Sequence, residues 1–153
     1  MTQTHTDHVD AATARKLRDL GAFAERKLRV GDWVWLEGRE FLYVEDSFEP
    51  IAPGNEAEPL MVLRPANSLD PLWESASPGE CLFLPRLADL LDELEYHGHH
   101  NIYFKRLKSG YRCCAEWPAL PPLSIVGKTR EESAANCLIA VLETRKEKSC
   151  DKK

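Results

Sequence analysis

Apolar residues recur at helical spacing in three stretches of the sequence. The first covers residues 10–20, with Asp10 as its N-cap and Gly21 as its stop, and the second begins with Pro85 as its first helical residue and ends at Gly98. The predicted buried faces are Ala14, Leu17 and Leu20 in the first helix and Leu87, Leu90, Leu91 and Leu94 in the second. Each face predicts a helix that packs on a core by one side.

The third helical stretch is predicted to begin at Thr129. The Thr129 hydroxyl is spaced to accept from the Glu132 amide, and the Glu132 carboxylate to accept from the Thr129 amide, which is the pattern of a capping box. Its apolar stripe consists of Ala134, Ala135, Leu138, Val141 and Leu142. We therefore expect a third helix that covers a sheet or another helix.

Alternation with period two predicts two hairpins. In the first, residues 33–37 and 39–45 flank Gly38, and Trp33 and Trp35 fall on the same face. In the second, residues 102–107 and 111–117 are joined by a short turn and are followed by a Pro-rich link at 118–122.

The remaining stretches are irregular or only weakly β-like. Residues 60–64 and 81–84 are short apolar runs that fit additional strands, whereas residues 46–59 are predicted to be a mobile loop. Between the two runs, the composition of residues 65–79 predicts nothing regular beyond a turn, with Trp73 anchoring that loop against the body.

The order helix, hairpin, loop, helix, two strands, helix predicts an α+β fold, a mainly antiparallel sheet covered by helices in an α/β sandwich. With 153 residues, 43% of them hydrophobic, the chain suffices for one compact domain. We place that domain at residues 10–147, with a sandwich half at about 80–147, a flexible N-terminus at 1–9 and a flexible tail at 148–153.

Charge and cysteine content narrow the classes of function. The net charge of −5 disfavours nucleic acid as a partner, and the absence of a long apolar run argues against a membrane protein. Five cysteines without paired spacing fit reduced thiols, so we expect a cytoplasmic protein of a bacterium or an infected host cell.

Three motifs carry a resemblance to a known group of proteins. They are Leu-Pro-Arg-Leu at 84–87, the strand at 111–117, and Gly-x-Thr-x-Glu-Glu at 127–132. Together they resemble uncharacterised phage and prophage proteins with an ABA-sandwich domain. The strand, the Pro-rich link and the Gly-x-Thr-x-Glu-Glu helix are also similar to those of HicB-like antitoxin domains, so an antitoxin is an alternative that this second resemblance implies.

Three histidines, His97, His99 and His100, form the first candidate site. Imidazoles close in sequence can ligate a metal ion, with Glu93 one turn before His97. The alternative is a surface turn at the C-terminus of a helix, where a histidine is favoured on electrostatic grounds. If the site is catalytic, the protein is an enzyme at 97–100 that either depends on a metal or uses Cys113 or Cys114 as its nucleophile.

The aromatic hairpin is the second candidate site. Trp33, Trp35 and Tyr43, with Arg39 nearby, offer stacking planes and a cation to a small nucleotide-like ligand. The alternative is that the two tryptophans belong to the core.

The phage-like resemblance favours a non-enzymatic accessory protein that binds a protein partner and forms a homo-oligomer. We expect no cofactor. The small-ligand binder, the HicB-like antitoxin and the metal or cysteine enzyme remain open as alternatives.

Overall fold

The computed structural model describes residues 8–47, 60–67, 69, 72–117 and 123–150. Within these ranges the chain forms three α-helices and eight strands, the strands arranged in two antiparallel sheets. This confirms the predicted α+β class. The chain divides into two compact units, Arg26–Leu84 and a second unit made of Met1–Glu25 and Pro85–Lys153.

The unit Arg26–Leu84 contains a five-stranded sheet of order β4-β3-β2-β1-β5. Its strands are β1 (Trp33–Leu36), β2 (Arg39–Ser47), β3 (Leu60–Pro65), β4 (Glu74–Ala76) and β5 (Leu82–Leu84). The β1–β2 hairpin turns at Glu37 and Gly38, which both have positive φ, as a two-residue turn requires. The predicted first hairpin and the two predicted additional strands are therefore confirmed.

One face of this sheet carries the core of the unit. The core residues are Val34, Phe41, Tyr43, Met61, Leu63 and Ala76. The pairing of β2 with β3 shifts register between Tyr43 and Glu45, and this bulge brings Asp46 to the same face as Tyr43. The register also confirms that Trp33 and Trp35 share the face opposite Val34.

Two expectations for this unit were wrong. Strand β4 forms where only a turn was predicted, because pairing with β3 supplies its hydrogen bonds despite weak local propensity. Trp73 does not anchor a loop, since 53% of its surface is exposed. In the predicted mobile loop, Asp46 and Ser47 belong to β2, and residues 48–59 lie outside the described residues.

The second unit contains the helices and a three-stranded sheet of order β6-β7-β8. Its elements are α1 (Ala11–Asp19), α2 (Leu87–Tyr96), β6 (His100–Leu107), β7 (Gly110–Trp117), β8 (Leu123–Gly127) and α3 (Arg130–Cys150). Helix α3 lies against β7 and β8, and α1 and α2 pack beside it. The predicted stripe of α3, from Ala134 to Leu142, is buried throughout.

Polar side chains cap the N-termini of the helices at or near the predicted positions. Asp10 accepts from the Thr13 amide at 2.8 Å, and Thr129 Oγ1 accepts from the Glu132 amide at 3.0 Å. The return bond of the predicted capping box, to the Glu132 carboxylate, does not form within the described part of the chain. Helix α2 starts after Pro85 rather than at it, with the Asp89 carboxylate accepting from the amide of residue 86.

Strand β8 is the main element that the sequence did not reveal. It follows residues 118–122, the predicted Pro-rich link, which lie outside the described residues. The strand ends at Gly127, where an added Cβ would lie 2.4 Å from the Ser133 nitrogen. Gly127 is therefore required for the close approach of β8 to the first turn of α3.

The described residues nearest the two chain ends have defined contacts or helical structure. His8 and Val9 are buried, and the Val9 amide donates to the Pro85 carbonyl at 3.1 Å. Helix α3 continues to Cys150, into the predicted flexible tail. Residues 1–7 and 151–153 lie outside the described residues.

Candidate functional site

The three-stranded sheet has one face covered by helices and one face open to solvent. Phe104, Cys113 and Ile125 stand side by side on the covered face, and Cys113 is completely buried beneath α3. Residues one position away in each strand point to the opposite face. We call the exposed side chains on that opposite face the outer-face patch: Tyr103, Lys105, Arg112, Ser124 and Val126.

Two apolar or aromatic side chains of the patch remain accessible. Tyr103 is 38% exposed and Val126 is 47% exposed. Between the Tyr103 and Ser124 positions lies Cys114, which is only 7% exposed and forms part of the floor of the patch. An open face with large accessible side chains on a rigid sheet is typical of a surface that binds a partner.

The patch also carries two cations directly opposite each other. Lys105 of β6 pairs in register with Arg112 of β7, and Arg112 pairs with Val126 of β8. The Lys105 ammonium lies 6.0 Å from the centre of the Tyr103 ring. No carboxylate of the described residues forms a salt bridge with either cation. Like charges at opposed positions of an antiparallel pair repel, so this arrangement favours an added anion.

Sequence reasoning missed the patch, although a signal for it exists. Between residues 97 and 130 the sequence has six lysine or arginine residues and one acidic residue, whereas the rest of the chain is strongly acidic. The negative average hides this local excess. The pairing of strands β6, β7 and β8 was also needed to place Lys105, Arg112 and Val126 side by side.

The aromatic hairpin does not bring its four predicted ligand-binding residues onto one face. Trp33 and Trp35 pair with Leu42 and Glu40, whereas Arg39 lies in register with Leu36, on the face of Tyr43. Both tryptophans are half-buried. The guanidinium of Arg39 stacks on the Phe41 ring, 5.1 Å from its centre. The four residues therefore form two separate surfaces and do not assemble a single stacking site.

Tyr43 belongs to the core of its unit. Its hydroxyl donates to the Asp46 carboxylate, which the bulge in β2 has placed on the same face. Burial, this hydrogen bond and the negative charges of Asp46 and Asp32 raise the pKa of Tyr43 to about 12. A buried phenol held in this way has a structural role and no free face for a ligand.

A buried ion pair holds the start of the five-stranded sheet. The guanidinium of Arg26 binds both carboxylate oxygens of Asp32, at 2.7 and 3.0 Å, and lies 4.2 Å from the centre of the Phe83 ring. Asp32 also accepts from the Arg29 amide at 2.8 Å. Nothing in the sequence pattern assigns Arg26 as the partner of Asp32.

The histidines do not assemble as a metal site, because His97 uses both ring nitrogens in a network between helices. Arg145 of α3 donates to His97 Nδ1 at 2.8 Å and to the His97 carbonyl at 2.7 Å. Since arginine only donates, Nδ1 is the acceptor and Nε2 carries the proton, which it donates to Glu93 at 3.3 Å. Glu93 also accepts from the Phe23 amide at 3.3 Å. The network joins the ends of α2 and α3 to the turn after α1.

His99 and His100 lie outside this network. The His99 amide donates to the Leu94 carbonyl and completes the C-terminal cap of α2 beyond Gly98. Burial and the nearby positive charge of Arg145, together with His97 and His100, lower the pKa of His99. His100 is exposed at the start of β6, and the described part of the chain contains no group of three His, Cys, Asp or Glu side chains arranged to hold a metal ion.

The strand cysteines are core residues. Cys113 and Cys114 point to opposite faces of β7, as predicted, and Cys137 of α3 meets Cys113 beneath the helix. A hydrogen bond with Cys137 and burial raise the pKa of Cys113 well above its usual range. A buried, protonated thiol is a poor nucleophile, so the structure gives no support to cysteine catalysis at this position.

Comparison with models of known families, with curated proteins and with solved structures finds no match. None of the described helices has both the length and the hydropathy needed to cross a membrane.

Proposed function

We propose that the protein is a non-enzymatic binding protein that holds a protein partner on the outer-face patch. The observation that carries the proposal is the open sheet face on which Tyr103 and Val126 are accessible beside the opposed cations Lys105 and Arg112. In the setting implied by the phage-like resemblance, this is the role of an accessory protein.

The side chains considered above for metal binding, ligand binding or catalysis have structural roles, and this supports a non-enzymatic binding protein. His97 is bound between Glu93 and Arg145, and Tyr43 and Cys113 are buried. The outer-face patch, in contrast, has the exposed side chains of Lys105, Arg112 and Val126. Such side chains are available to bind another molecule.

A second copy of the chain is a poor occupant of the same patch. Two identical faces packed together would bring two copies of Lys105 and of Arg112 into one interface, where their like charges repel. We therefore expect the partner to be a different protein. A homo-oligomer, if it forms, should use another surface.

The proposal is tested by photo-crosslinking from the patch. A benzophenone amino acid at Val126 should give a crosslink to one discrete protein in extracts of the native host, identified by mass spectrometry and then rebound as the purified protein. The same group at the exposed residue Ala12 of α1 is the control.

The crosslink should be lost when Lys105→Glu and Arg112→Glu are introduced together. Identical products from positions 126 and 12, a product that contains only a second copy of the chain, or no product at position 126 would each overturn the proposal.

A further inference from the structure

The outer-face patch has dimensions that fit a short stretch of extended polypeptide. Lys105, Arg112 and Val126 form one row across three strands, and Tyr103, Cys114 and Ser124 form the next row. Strands lie about 4.8 Å apart and residues two positions apart are separated by about 7 Å, so the patch measures about 10 by 7 Å. An extended segment places alternate side chains about 7 Å apart, which matches the distance between the rows.

The charge of the patch selects an acidic ligand. Among the described residues no carboxylate forms a salt bridge with the Arg112 guanidinium, a group that binds a carboxylate through two parallel hydrogen bonds, and Lys105 offers an ammonium directly opposite. An acidic group between the two cations removes their mutual repulsion as well as forming its own ion pairs. The gain is therefore larger than for an isolated lysine on the surface.

The apolar part of the patch favours a protein over a nucleic acid. Val126 and the floor residue Cys114 offer contact area to aliphatic side chains, and Tyr103 is the single aromatic ring of the patch, whereas single-stranded nucleic acid is held by several rings on which successive bases stack. The net charge of −5 repels a long polyanion, whereas a segment with two or three carboxylates meets only the local cationic field.

We propose that the partner binds the outer-face patch through an extended acidic segment, with carboxylates at Lys105 and Arg112 and an apolar side chain between Tyr103 and Val126. This inference rests on the proposed function and specifies the chemistry of the partner.

A defined probe tests the inference without the natural partner. The probe is a ten-residue peptide in which glutamate alternates with leucine, and the matched peptide has glutamine in place of glutamate. A twelve-nucleotide oligouridine is the nucleic-acid probe. Backbone amide shifts of the full-length protein are followed by NMR during titration at low salt.

The glutamate peptide should shift amides of β6, β7 and β8, and its affinity should fall at least tenfold when Lys105→Glu and Arg112→Glu are combined. The matched charge change Arg15→Glu with Lys146→Glu should leave the affinity within twofold, because these exposed residues lie on α1 and α3, the helices on the covered side of the sheet. Unchanged amide dispersion in both double variants shows that the fold is intact.

Three outcomes would overturn the inference: no shift of the β6–β8 amides, equal binding of the glutamine peptide, or tighter binding of the oligouridine. Failure of the proposed function gives a different result, because no protein would then crosslink to the benzophenone group at Val126. If the crosslinked segment of the partner contains no acidic residues, the proposed function stands and the inference that the segment is acidic is refuted.

Discussion

At the scale of single residues, partners far away in the sequence hold the polar side chains of each unit. Histidines cluster in sequence around His97, but its decisive contact is with Arg145, 48 positions later. No local pattern encodes a partner at that separation. The same holds for Arg26 and Asp32, where the sequence gives the charges but not the pairing.

Arg26 is the residue whose loss should cost most in the unit Arg26–Leu84. Arg26→Ala leaves the Asp32 carboxylate buried without its cation, so we expect the free energy of unfolding of this unit to fall by about 3–5 kcal/mol. Urea unfolding followed by tryptophan fluorescence is a suitable measurement, because three of the four tryptophans, Trp33, Trp35 and Trp73, belong to this unit and only Trp117 belongs to the other.

Arg26→Lys is the matched control, since it keeps the charge but loses the two-point contact, and it should cost less than Arg26→Ala. Removing both charges with Arg26→Ala and Asp32→Asn should recover part of the loss. An Arg26→Ala variant within about 1 kcal/mol of the native protein would show that the ion pair does not hold the sheet.

At the scale of elements, the long periodic segments were predictable and the short paired ones were not. Helices α1, α2 and α3 carry their own signal, in an apolar stripe and a capping side chain. Strands β4 and β8 are three and five residues long and depend on the strand beside them for their hydrogen bonds. The sequences of these two strands resemble those of loops too closely to predict a strand at either position.

The junction of β8 with α3 should be sensitive to a single methyl group. In Gly127→Ala the new Cβ meets backbone atoms of Glu132 and Ser133 at 2.4–2.8 Å, so the start of α3 must move. We expect a loss of about 1–3 kcal/mol in thermal or urea unfolding, the usual cost of overpacking. Gly79→Ala is the control, because its Cβ meets nothing within 4 Å. Equal effects of the two substitutions would refute the close approach.

At the scale of the whole molecule, the rate at which the buried thiols are alkylated measures global unfolding of the unit that contains the three-stranded sheet. Cys113, Cys114 and Cys137 are buried between or beside β7 and α3, whereas Cys81 is half-buried. Burial and the negative charge of Glu80 raise the pKa of Cys81 to about 11, so it should also alkylate slowly.

Iodoacetamide labelling at increasing urea, read by peptide mass spectrometry, should therefore modify Cys113 and Cys137, which lie between β7 and α3, together and only as the unit unfolds. Modification of Cys113 or Cys137 under native conditions, at a rate independent of urea, would show that α3 opens locally. Labelling in full denaturant, where every cysteine reacts, is the control.

The sequence by itself determined the α+β class, the three helices with their buried stripes, and both β-hairpins. These features depend on periodicity, capping and turn residues, which act over a few positions along the chain. Tertiary structure alone decided that Trp33 and Trp35 lie opposite Arg39, and that Arg145 binds His97. It also placed Lys105 beside Arg112 on an open face. Strand register and long-range side-chain partners depend on which elements pack together, and no short stretch of sequence contains that information.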